Sequence, residues 1–498
     1  MTTAIGVLGG GISGLATAFH LVRRLPPSFP VNVILFEKNK RLGGWIKSES
    51  VELSAPSNNA SGTHSVVLEA GPRTLRPRSL EMLELIHLLD LEPALVLIQN
   101  SHPAARNRFV YFPETGLTRL PSSILSLLSS QISKRRSLGS LLPSVLAEPF
   151  KSSNRPLGLT DESFDQFISR RFGPEFARRF GSSLIHGIYA ADSRKLSMRA
   201  AFGSVWDAED RGGGSVIRGI LRGTIRPPHL ESEYELGRTP EIMKGISVYT
   251  FKGGMGRIVQ SLEGSLRNDP RVEVRAGSSV HAAKRSEDGD IVLETSTGEV
   301  KVSHLVSTLP LSRISNIISS LRQVLDMGTS PYSTVHVVNM VFSPGQFPIH
   351  PPGFGYLVPR PEAGYDSADN PVLGCVFDSA TVSIHKPTVL TLMLGGPFPI
   401  RSTQLSMEYI LSLLSRHLGH ERLPEPIVHR YHIHHDCIPT PLVGHLERIS
   451  TLREAVQQEW AGSLEIIGSG VGGVSLGDCV RDGRAAAINI ARRLQSGG

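Results

Sequence analysis

Near its amino terminus the chain runs Ala4-Ile5-Gly6-Val7-Leu8-Gly9-Gly10-Gly11-Ile12-Ser13-Gly14. The first residues predict a strand, the glycines fit the pattern G-x-G-x-x-G, and the apolar spacing of Leu15, Phe19 and Val22 predicts a helix. In this pattern the first glycine permits a tight turn, the second lets a pyrophosphate approach the backbone, and the third lets helix and strand pack closely. The helix N-terminus adds partial positive charge that favours a phosphate.

A second apolar run, Val31 to Phe36, is followed by Glu37. Glu37 lies roughly 20 residues after the glycines, where an acid bonds the ribose hydroxyls of an adenosine without a 2′-phosphate. Strand, turn, helix, strand and acid together predict a dinucleotide-binding unit in which residues 9–14 and Glu37 contact the ligand. For the glycine pattern alone, a turn that binds nothing is the alternative.

The composition indicates a globular protein with more than one domain. The chain has 498 residues, 40% of them hydrophobic and 19% charged, so two or three domains are expected. The formal net charge of +7 is compatible with anionic lipid, an acidic substrate or nucleic acid. No nucleic-acid-binding motif accompanies the charge, so no nucleic acid partner is predicted.

The cysteines and the apolar stretches argue against several classes of protein. Cys375, Cys437 and Cys479 are far apart and lack Cys-x-x-Cys spacing, which disfavours a disulfide framework or a zinc site. No stretch approaches the ~18 uninterrupted apolar residues of a spanning helix, and the first strand begins too close to Met1 for a signal peptide. We expect a protein that is soluble or lies on a membrane surface.

Two adjacent glycines follow Glu37 in the sequence Arg41-Leu42-Gly43-Gly44-Trp45. They indicate a second close approach of the backbone to the same ligand, which suits an extended flavin better than a nicotinamide. The pattern Glu37-x-x-x-Arg41-x-Gly43-Gly44 resembles the second signature of the flavin amine oxidase superfamily, which implies that Arg41, Gly44 and Trp45 contact the cofactor. A hairpin turn without a ligand is the alternative.

Two further segments narrow the resemblance. Gly71-Pro72-Arg73-Thr74, followed by Arg76-Pro77, and the later Asn107-Arg108-Phe109 are similar to motifs of the protoporphyrinogen oxidase family, mitochondrial type. The resemblance implies that Gly71, Pro72, Arg73 and Thr74 run along the flavin and that Arg108 faces a propionate of the substrate. Without the resemblance, Arg108 would be interpreted as a solvated surface charge.

The resemblance covers nearly the whole chain and implies its architecture, an α/β and α+β fold. We expect a Rossmann-like FAD-binding domain built discontinuously from residues 1–95, 249–312 and 460–498. A substrate domain with a mixed sheet would occupy residues 313–459, and a helical membrane-associating domain residues 96–215.

Within the predicted helical domain, an apolar stripe from Leu120 to Leu146 is interrupted by Lys134-Arg135-Arg136. Such a stripe beside a basic cluster suits a helix on anionic lipid, although an amphipathic stripe is more often core. Further along, Phe164, Phe167 and Ile168 predict a helix that ends at Gly173-Pro174.

The remaining site residues follow from the resemblance. It implies that Gly187 lies against the macrocycle, that Phe354 and Leu357 sandwich pyrrole rings, and that Met393 completes an apolar slot. The alternatives are a helix C-cap at Gly187 and core packing for the other three. The resemblance also implies that Val280 presents its backbone to the adenine end and that Ser469, Val474, Ser475 and Leu476 contact the flavin. Asp478 fits an N-cap of the last helix.

The run His432-x-His434-His435-Asp436-Cys437 contains several residue types that bind metals. On a strand, His432, His434 and Asp436 would share one face. Pro439 soon interrupts the run and a second ligand cluster is not evident in the sequence, so no metal is predicted.

The resemblance implies an oxygen-dependent oxidase with non-covalent FAD that converts protoporphyrinogen IX to protoporphyrin IX in haem biosynthesis. The oxidation removes six electrons in three flavin cycles, and each cycle reduces one oxygen to hydrogen peroxide. No residue is assigned as a catalytic base. The resemblance further implies a homodimer that lies peripherally on the mitochondrial inner membrane, on its intermembrane-space face, with product passed to ferrochelatase.

Two alternatives remain at this stage. A flavin-dependent amine or polyamine oxidase on the same scaffold would call for an aromatic cage, which a chain with 6% aromatic residues and three tryptophans supports little. A cofactor-free binding protein that resembles the Rab GDP-dissociation inhibitors is disfavoured by the intact glycines and by Glu37.

Overall fold

The computed structural model describes residues 2–53, 64–121, 142–223, 233–345, 347–366, 369–379 and 386–496. The strands are β1 Thr3–Leu8, β2 Val31–Glu37, β3 Ser48–Leu53, β4 His64–Glu69, β5 Leu95–Gln99, β6 Phe109–Phe112, β7 Gly116–Arg119, β8 Ile246–Phe251, β9 Val272–Ala276, β10 Val280–Arg285, β11 Ile291–Thr295, β12 Gly298–Val302, β13 His304–Ser307, β14 Tyr332–Phe342, β15 Gly355–Leu357, β16 Val372–Phe377, β17 Thr388–Gly395, β18 Val428–Pro439 and β19 Leu464–Ile466.

The α-helices are α1 Ile12–Arg24, α2 Leu80–Leu88, α3 Pro103–Arg106, α4 Leu142–Ala147, α5 Phe164–Phe172, α6 Pro174–Phe176, α7 Ser182–Tyr189, α8 Met198–Arg211, α9 Val216–Leu221, α10 Thr239–Ile242, α11 Gly256–Asn268, α12 Leu311–Ile317, α13 Arg322–Gly328, α14 Met407–Leu418, α15 His445–Trp460 and α16 Leu476–Ser496. Short 3₁₀ turns lie at Glu92–Ala94, Glu148–Phe150, Ser319–Leu321 and Ser402–Leu405, and a π-helical turn lies at Ala177–Gly181.

A parallel five-stranded sheet in the order β19-β13-β1-β2-β9 carries the amino-terminal turn. Its strands come from the beginning, the middle and the end of the chain. The central strand β1 is buried because Ile5, Val7 and Leu8 are all apolar. The helices α1 and α16 pack so closely that a Cβ added at Gly483 would lie 2.7 Å from the carbonyl oxygen of Ser13. The predicted strand, turn, helix and strand at residues 4–37 are confirmed.

A mixed seven-stranded sheet in the order β18-β14-β17-β16-β15-β6-β7 forms the second large layer. Its strands pair antiparallel except β15 and β6, which run parallel. The range 96–215, which we predicted as helical, therefore begins with strands: β6 and β7 belong to this sheet, and β5 pairs with β8. The reason is that Phe109–Phe112 is a short apolar run buried along its whole length. The proposed domain boundaries themselves stay predictions.

Residues 142–223 form the helical part of the protein. As predicted, α5 begins at Phe164 and stops before Gly173, which is its C-cap with φ +96°. At the start of the helix, Ser163 and Gln166 form a capping box. The basic cluster Lys134-Arg135-Arg136 and most of its apolar stripe lie outside the described residues. Among the helices that the structure describes, none has the length and apolar character needed to cross a bilayer.

One alternative for Gly187 is excluded, and one predicted helix cap is corrected. Gly187 lies inside α7 rather than at its C-cap, which is Ala190 in the left-handed conformation with φ +47°. Ser475, not Asp478, has the N-cap role at α16: its hydroxyl accepts a hydrogen bond from the Asp478 backbone N–H at 3.1 Å. In return, the Asp478 carboxylate accepts a hydrogen bond from the backbone N–H of Ser475 at 3.3 Å. Both residues therefore fit the helix start, and the sequence pattern alone did not separate them.

Candidate functional site

The turn between β1 and α1 is tightly packed at Gly14 and open at Gly11. Gly9 has φ +103°, a conformation that a residue with a side chain rarely adopts. A Cβ at Gly14 would lie 1.9 Å from the carbonyl oxygen of Gly9, whereas a Cβ at Gly11 would have no described heavy atom within 4 Å. Ile12 and Ser13 begin the helix between these glycines. The turn therefore has the bare backbone at Gly11 that a pyrophosphate requires.

Glu37 lies beside this turn, at the end of β2. Its carboxylate accepts hydrogen bonds from the backbone N–H of Gly10 at 2.8 Å and of Asn39 at 2.9 Å. The Asn39 side-chain amide donates a third hydrogen bond at 2.8 Å. A carboxylate can accept about four hydrogen bonds, so capacity for one ribose hydroxyl remains. The backbone N–H of Ser278 donates to the Glu37 carbonyl at 2.9 Å, which brings the loop before Val280 to the predicted adenine end.

The second glycine pair packs directly on the first turn. The backbone N–H of Gly43 donates to the carbonyl of Gly10 at 2.7 Å, and a Cβ at Gly44 would lie 3.4 Å from the Cα of Gly11. Arg41 donates to the carbonyls of Leu42, Gly44 and Ile46, so its guanidinium shapes this loop. Trp45 remains half-exposed, with its ring edge-on to His434.

The Gly71–Thr74 segment packs against the second glycine loop, at Trp45. A Cβ at Gly71 would lie 2.1 Å from the carbonyl oxygen of Trp45, so only glycine allows this approach. Arg73 forms an ion pair with Asp378 at 2.9 Å, and both side chains are largely buried. Beyond Pro72 and Thr74 the chain is fixed by two backbone hydrogen bonds between Leu75 and Tyr249.

The seven-stranded sheet holds this segment in place. The Asn339 amide donates to the Glu69 carbonyl at 3.0 Å, and a ring nitrogen of His434 lies 2.6 Å from the Ala70 carbonyl oxygen. The Glu69 side chain accepts from Ser48 and from the backbone N–H of Met255, while burial raises its pKa above the ordinary value. The predicted flavin loop is thus tied to the seven-stranded sheet and to the residue that precedes α11.

The turn at Gly468 and Ser469, near the carboxyl terminus, completes the predicted cofactor site. A Cβ at Gly468, beside Ser469, would lie 3.2 Å from the carbonyl oxygen of Thr308, whose hydroxyl donates to the Leu8 carbonyl at 2.9 Å. Val474, Ser475 and Leu476 follow at the start of α16, the helix that packs on α1. Five predicted cofactor segments therefore converge from distant parts of the chain, and their close-packed glycines fit an extended dinucleotide such as FAD.

The predicted substrate residues meet on one face of the seven-stranded sheet. Leu357, Gly374 and Met393 are directly opposite one another on β15, β16 and β17, so their side-chain positions share a face. Gly374 lacks a side chain and keeps the middle of this row flat. A Cβ at Gly187 would lie 2.8 Å from the Cδ2 of Leu357, so α7 contacts the same row.

Arg108 and Phe354 lie at the end of this row. The backbone N–H of Phe354 donates to the Asn107 carbonyl at 2.9 Å, and β6, which follows Arg108, pairs with β15. Burial lowers the pKa of the Arg76 guanidinium, and the nearby charges of Arg108 and Arg78 lower it further. Within the described part of the chain, none of these three arginines forms an ion pair. A cationic cluster without a counter-ion suits a carboxylate ligand.

Sequence reasoning missed several residues that the fold adds to this site. Leu184 and Ile188 lie three residues before and one after Gly187 on α7, and both are exposed on its open face. Gly374 and Arg76 complete the flat row and the cationic cluster. The helical spacing around Gly187 was the signal for Leu184 and Ile188, whereas Gly374 could be recognised only from the strand register.

The histidine run lies on β18. His432 and His434 do share a face, with stacked rings 6.1 Å apart. His434 already contacts the Ala70 carbonyl, and Asp436 has φ +49°, which departs from the strand conformation. In the described ranges no group of three or more potential ligands could hold a metal ion.

The family model described as flavin containing amine oxidoreductase matches residues 12–491, and the chain belongs to that family. Among curated proteins it is similar to the protoporphyrinogen oxidase of Schizosaccharomyces pombe, with 31% identity over 99% of both chains. The Homo sapiens protoporphyrinogen oxidase is 30% identical over 98% of both chains. Within the family, the chain groups with the protoporphyrinogen oxidases.

Solved structures share the fold. A structure from Exiguobacterium sp. 255-15, assigned to the protoporphyrinogen oxidases, has a TM-score of 0.74 with 21% identity and covers 99% of both chains. Wild-type putrescine oxidase bound to putrescine has a TM-score of 0.59 with 16% identity, over 99% of this chain and 100% of its own. These likenesses show a flavin amine oxidase-like α/β fold with a mixed sheet. The family match and the similarity to the curated protoporphyrinogen oxidases confirm the predicted FAD-dependent oxidoreductase.

Proposed function

We propose that this protein oxidises protoporphyrinogen IX to protoporphyrin IX with non-covalent FAD and molecular oxygen. The substrate loses six electrons and six protons, and three oxygen molecules become three hydrogen peroxide molecules. The observation that carries the proposal is the similarity to protoporphyrinogen oxidases at about 30% identity across both the cofactor segments and the substrate sheet. Bound FAD supplies the two-electron acceptor and passes the electrons to oxygen.

The residues of this chain would mainly bind and orient the substrate. A porphyrinogen is a bulky, mostly apolar ring with two carboxylates, so it needs apolar walls and cations at one edge. We assign the walls to Leu357, Met393, Phe354 and the face of α7 around Gly187, and the cationic edge to Arg108 and Arg76. Because the substrate is electron-rich, holding a meso carbon over the flavin is the main requirement, and no catalytic base is assigned.

The amine oxidase alternative is the weaker one. The walls assigned to the slot are largely aliphatic, and the putrescine oxidases share the fold at only 16–17% identity. We expect aerobic assays to consume three oxygen molecules for each protoporphyrin IX formed, with no turnover of polyamines. A flavin-loaded protein that forms no porphyrin would contradict the proposed function.

Replacing Arg108 by alanine should raise the KM for protoporphyrinogen IX by about 10- to 100-fold while kcat changes less. The reason is that a charge-assisted hydrogen bond to a substrate carboxylate contributes about 1.5–3 kcal/mol and acts mainly in binding. Steady-state kinetics measures this. Arg106→Ala, which removes an exposed arginine two residues away, is the matched control and should leave KM unchanged. Equal effects of the two substitutions would refute the assignment.

We further propose that the helical part rests on a membrane surface. Leu146, Phe150, Leu157, Ile220 and Leu221 are exposed apolar side chains of this part, and Phe150 is 89% exposed. Arg218 and Arg222 lie on or next to the same short helix as Ile220 and Leu221, which suits an anionic lipid surface. A mitochondrial inner-membrane location, a homodimer and hand-over to ferrochelatase follow from the family and remain proposals.

Neutralising Lys134, Arg135 and Arg136 by glutamine should release the protein from vesicles that contain anionic phospholipid. Each basic residue near such a surface contributes about 1 kcal/mol, so the loss of three should lower binding by roughly 100-fold. Vesicle co-sedimentation measures it. A triple variant that replaces the exposed Arg267 and Lys284 and the partly exposed Arg275 of the cofactor domain is the control and should bind normally. Unchanged binding of the first variant would identify residues 134–136 as ordinary surface.

A further inference from the structure

His186 is a residue of α7 whose side chain is buried against the segment that follows β15. The residue is 2% exposed, its Nδ1 lies 2.7 Å from the carbonyl oxygen of Val358, and its Nε2 lies 3.0 Å from the hydroxyl of Tyr365. The ring also packs edge-on against Phe398, with centroids 5.5 Å apart. Two polar partners and an aromatic neighbour leave the imidazole one orientation.

The partners determine the protonation of the ring. A carbonyl oxygen can only accept, so Nδ1 carries the hydrogen and donates to Val358. Burial lowers the pKa of His186 to about 4, against the opposing effects of the Val358 carbonyl and the Asp192 carboxylate. The ring is therefore neutral near pH 7, and Nε2 accepts the hydroxyl hydrogen of Tyr365. Both hydrogen bonds form without burying a charge.

These bonds join two walls of the slot. His186 directly precedes Gly187 on α7, and Val358 directly follows Leu357. On the same helix, the Ser182 hydroxyl accepts from the backbone N–H of Arg360 at 2.8 Å. The segment after β15 is thus fixed to α7 at two points, and a Cβ at Gly187 would lie only 2.8 Å from the Leu357 side chain.

We propose that His186 is a positioning residue that holds Leu357 against Gly187 and thereby sets the affinity of the slot for a flat tetrapyrrole. This inference rests on the proposed function, because it concerns the same slot. In this proposal the buried His186 fixes Leu357, the residue of the slot wall that the substrate would touch. At 2% exposure, His186 itself is buried behind this wall.

The test compares His186→Leu, His186→Asn and the wild-type holoenzyme. The probe is protoporphyrin IX in detergent micelles, with binding followed by porphyrin fluorescence. Loss of both neutral hydrogen bonds should weaken binding by about 10-fold in His186→Leu. The asparagine amide can donate in place of Nδ1, so His186→Asn should recover most of the affinity. KM should follow the dissociation constant, with kcat and flavin content changing less.

His445→Leu is the matched control, because His445 is equally buried at 3% exposure and bonds Ser330, which lies outside the slot. It should lower thermal stability without changing porphyrin affinity. Wild-type affinity in His186→Leu, or equal weakening in the leucine and asparagine variants, would overturn the proposal.

A variant that keeps both the His186 imidazole and an aromatic ring at position 365 is less prone to misfold and provides a second test. Tyr365→Phe removes only the hydroxyl that orients His186 and should weaken porphyrin binding by about 3-fold. Wild-type affinity in this variant would also overturn the proposal. A wild-type protein that neither binds porphyrin nor oxidises protoporphyrinogen IX would instead contradict the proposed function, whereas normal oxidation with unaffected variants would contradict only the role of His186.

Discussion

Gly14→Val should yield a protein that purifies without FAD and has lost essentially all oxidase activity. A Cβ at position 14 would lie 1.9 Å from the carbonyl oxygen of Gly9, a distance that real structures do not show. The backbone cannot yield easily, because the Gly9 turn is fixed by its hydrogen bond to the Phe36 carbonyl at 2.9 Å. The pyrophosphate site at Gly11 would therefore be distorted. Flavin absorbance per protein after gel filtration measures this.

Gly264→Val provides the control for this experiment. Gly264 is also a helical glycine, but a Cβ there would meet no described atom within 4 Å. Valine is a slightly better helix former than glycine, so this variant should keep its FAD and its stability. Full flavin content in Gly14→Val would show that the turn does not form the cofactor site described above.

Glu148→Ala should destabilise the helical part of the protein by about 3 kcal/mol, because it leaves the buried Arg171 with only the more distant carboxylate of Glu209, 3.9 Å away. Glu148 and Arg171 are both fully buried and form an ion pair at 2.7 Å. The same carboxylate also accepts from the Ser215 hydroxyl at 2.7 Å and from the backbone N–H of Val216 at 2.8 Å. Urea unfolding followed by tryptophan fluorescence measures the change, since Trp206 packs in the hydrophobic core of the helical part together with Val216.

The effect of Glu148 should depend on pH with a defined sign. Burial alone would raise the pKa of Glu148, but hydrogen bonds from Ser215, Arg171, Val216 and Ile217 outweigh it and hold the pKa below its ordinary value. A lowered folded-state pKa contributes stability above the unfolded pKa of about 4.3, and that stability is lost as the pH falls through the folded-state value. The difference between wild type and variant should therefore shrink below about pH 4.

Glu263→Ala is the control for this prediction. Glu263 pairs with Arg267 on an exposed face of α11, where one ion pair contributes at most about 0.5 kcal/mol. A similar loss of stability in both variants, or none in Glu148→Ala, would contradict the importance that we give to burial.

The sequence was most informative where a local pattern forces a local structure. Residues 4–37 predicted the strand, turn, helix and second strand correctly, because a side chain at Gly9 or Gly14 would clash with its neighbours. The end of α5 was also predicted correctly, because Gly173 and Pro174 stop the helix directly after Phe172. The resemblance to a family then extended these local predictions to the whole chain.

The substrate slot depended instead on strand register. Leu357, Gly374 and Met393 are far apart in sequence and become neighbours only through the pairing of three strands. Arg76 joins Arg108 only because the fold brings two loops together. The strands β6 and β7 were missed because the short run at Phe109–Phe112 carries too few residues to show a period.

The most direct measurement of the central claim is an anaerobic titration of the purified protein. We predict a yellow protein whose flavin absorbance is bleached by protoporphyrinogen IX and is restored by oxygen with formation of hydrogen peroxide. Putrescine and spermidine, added in parallel, should leave the absorbance unchanged. A colourless protein that takes up no added FAD, or a flavin that polyamines bleach and protoporphyrinogen IX does not, would contradict the account.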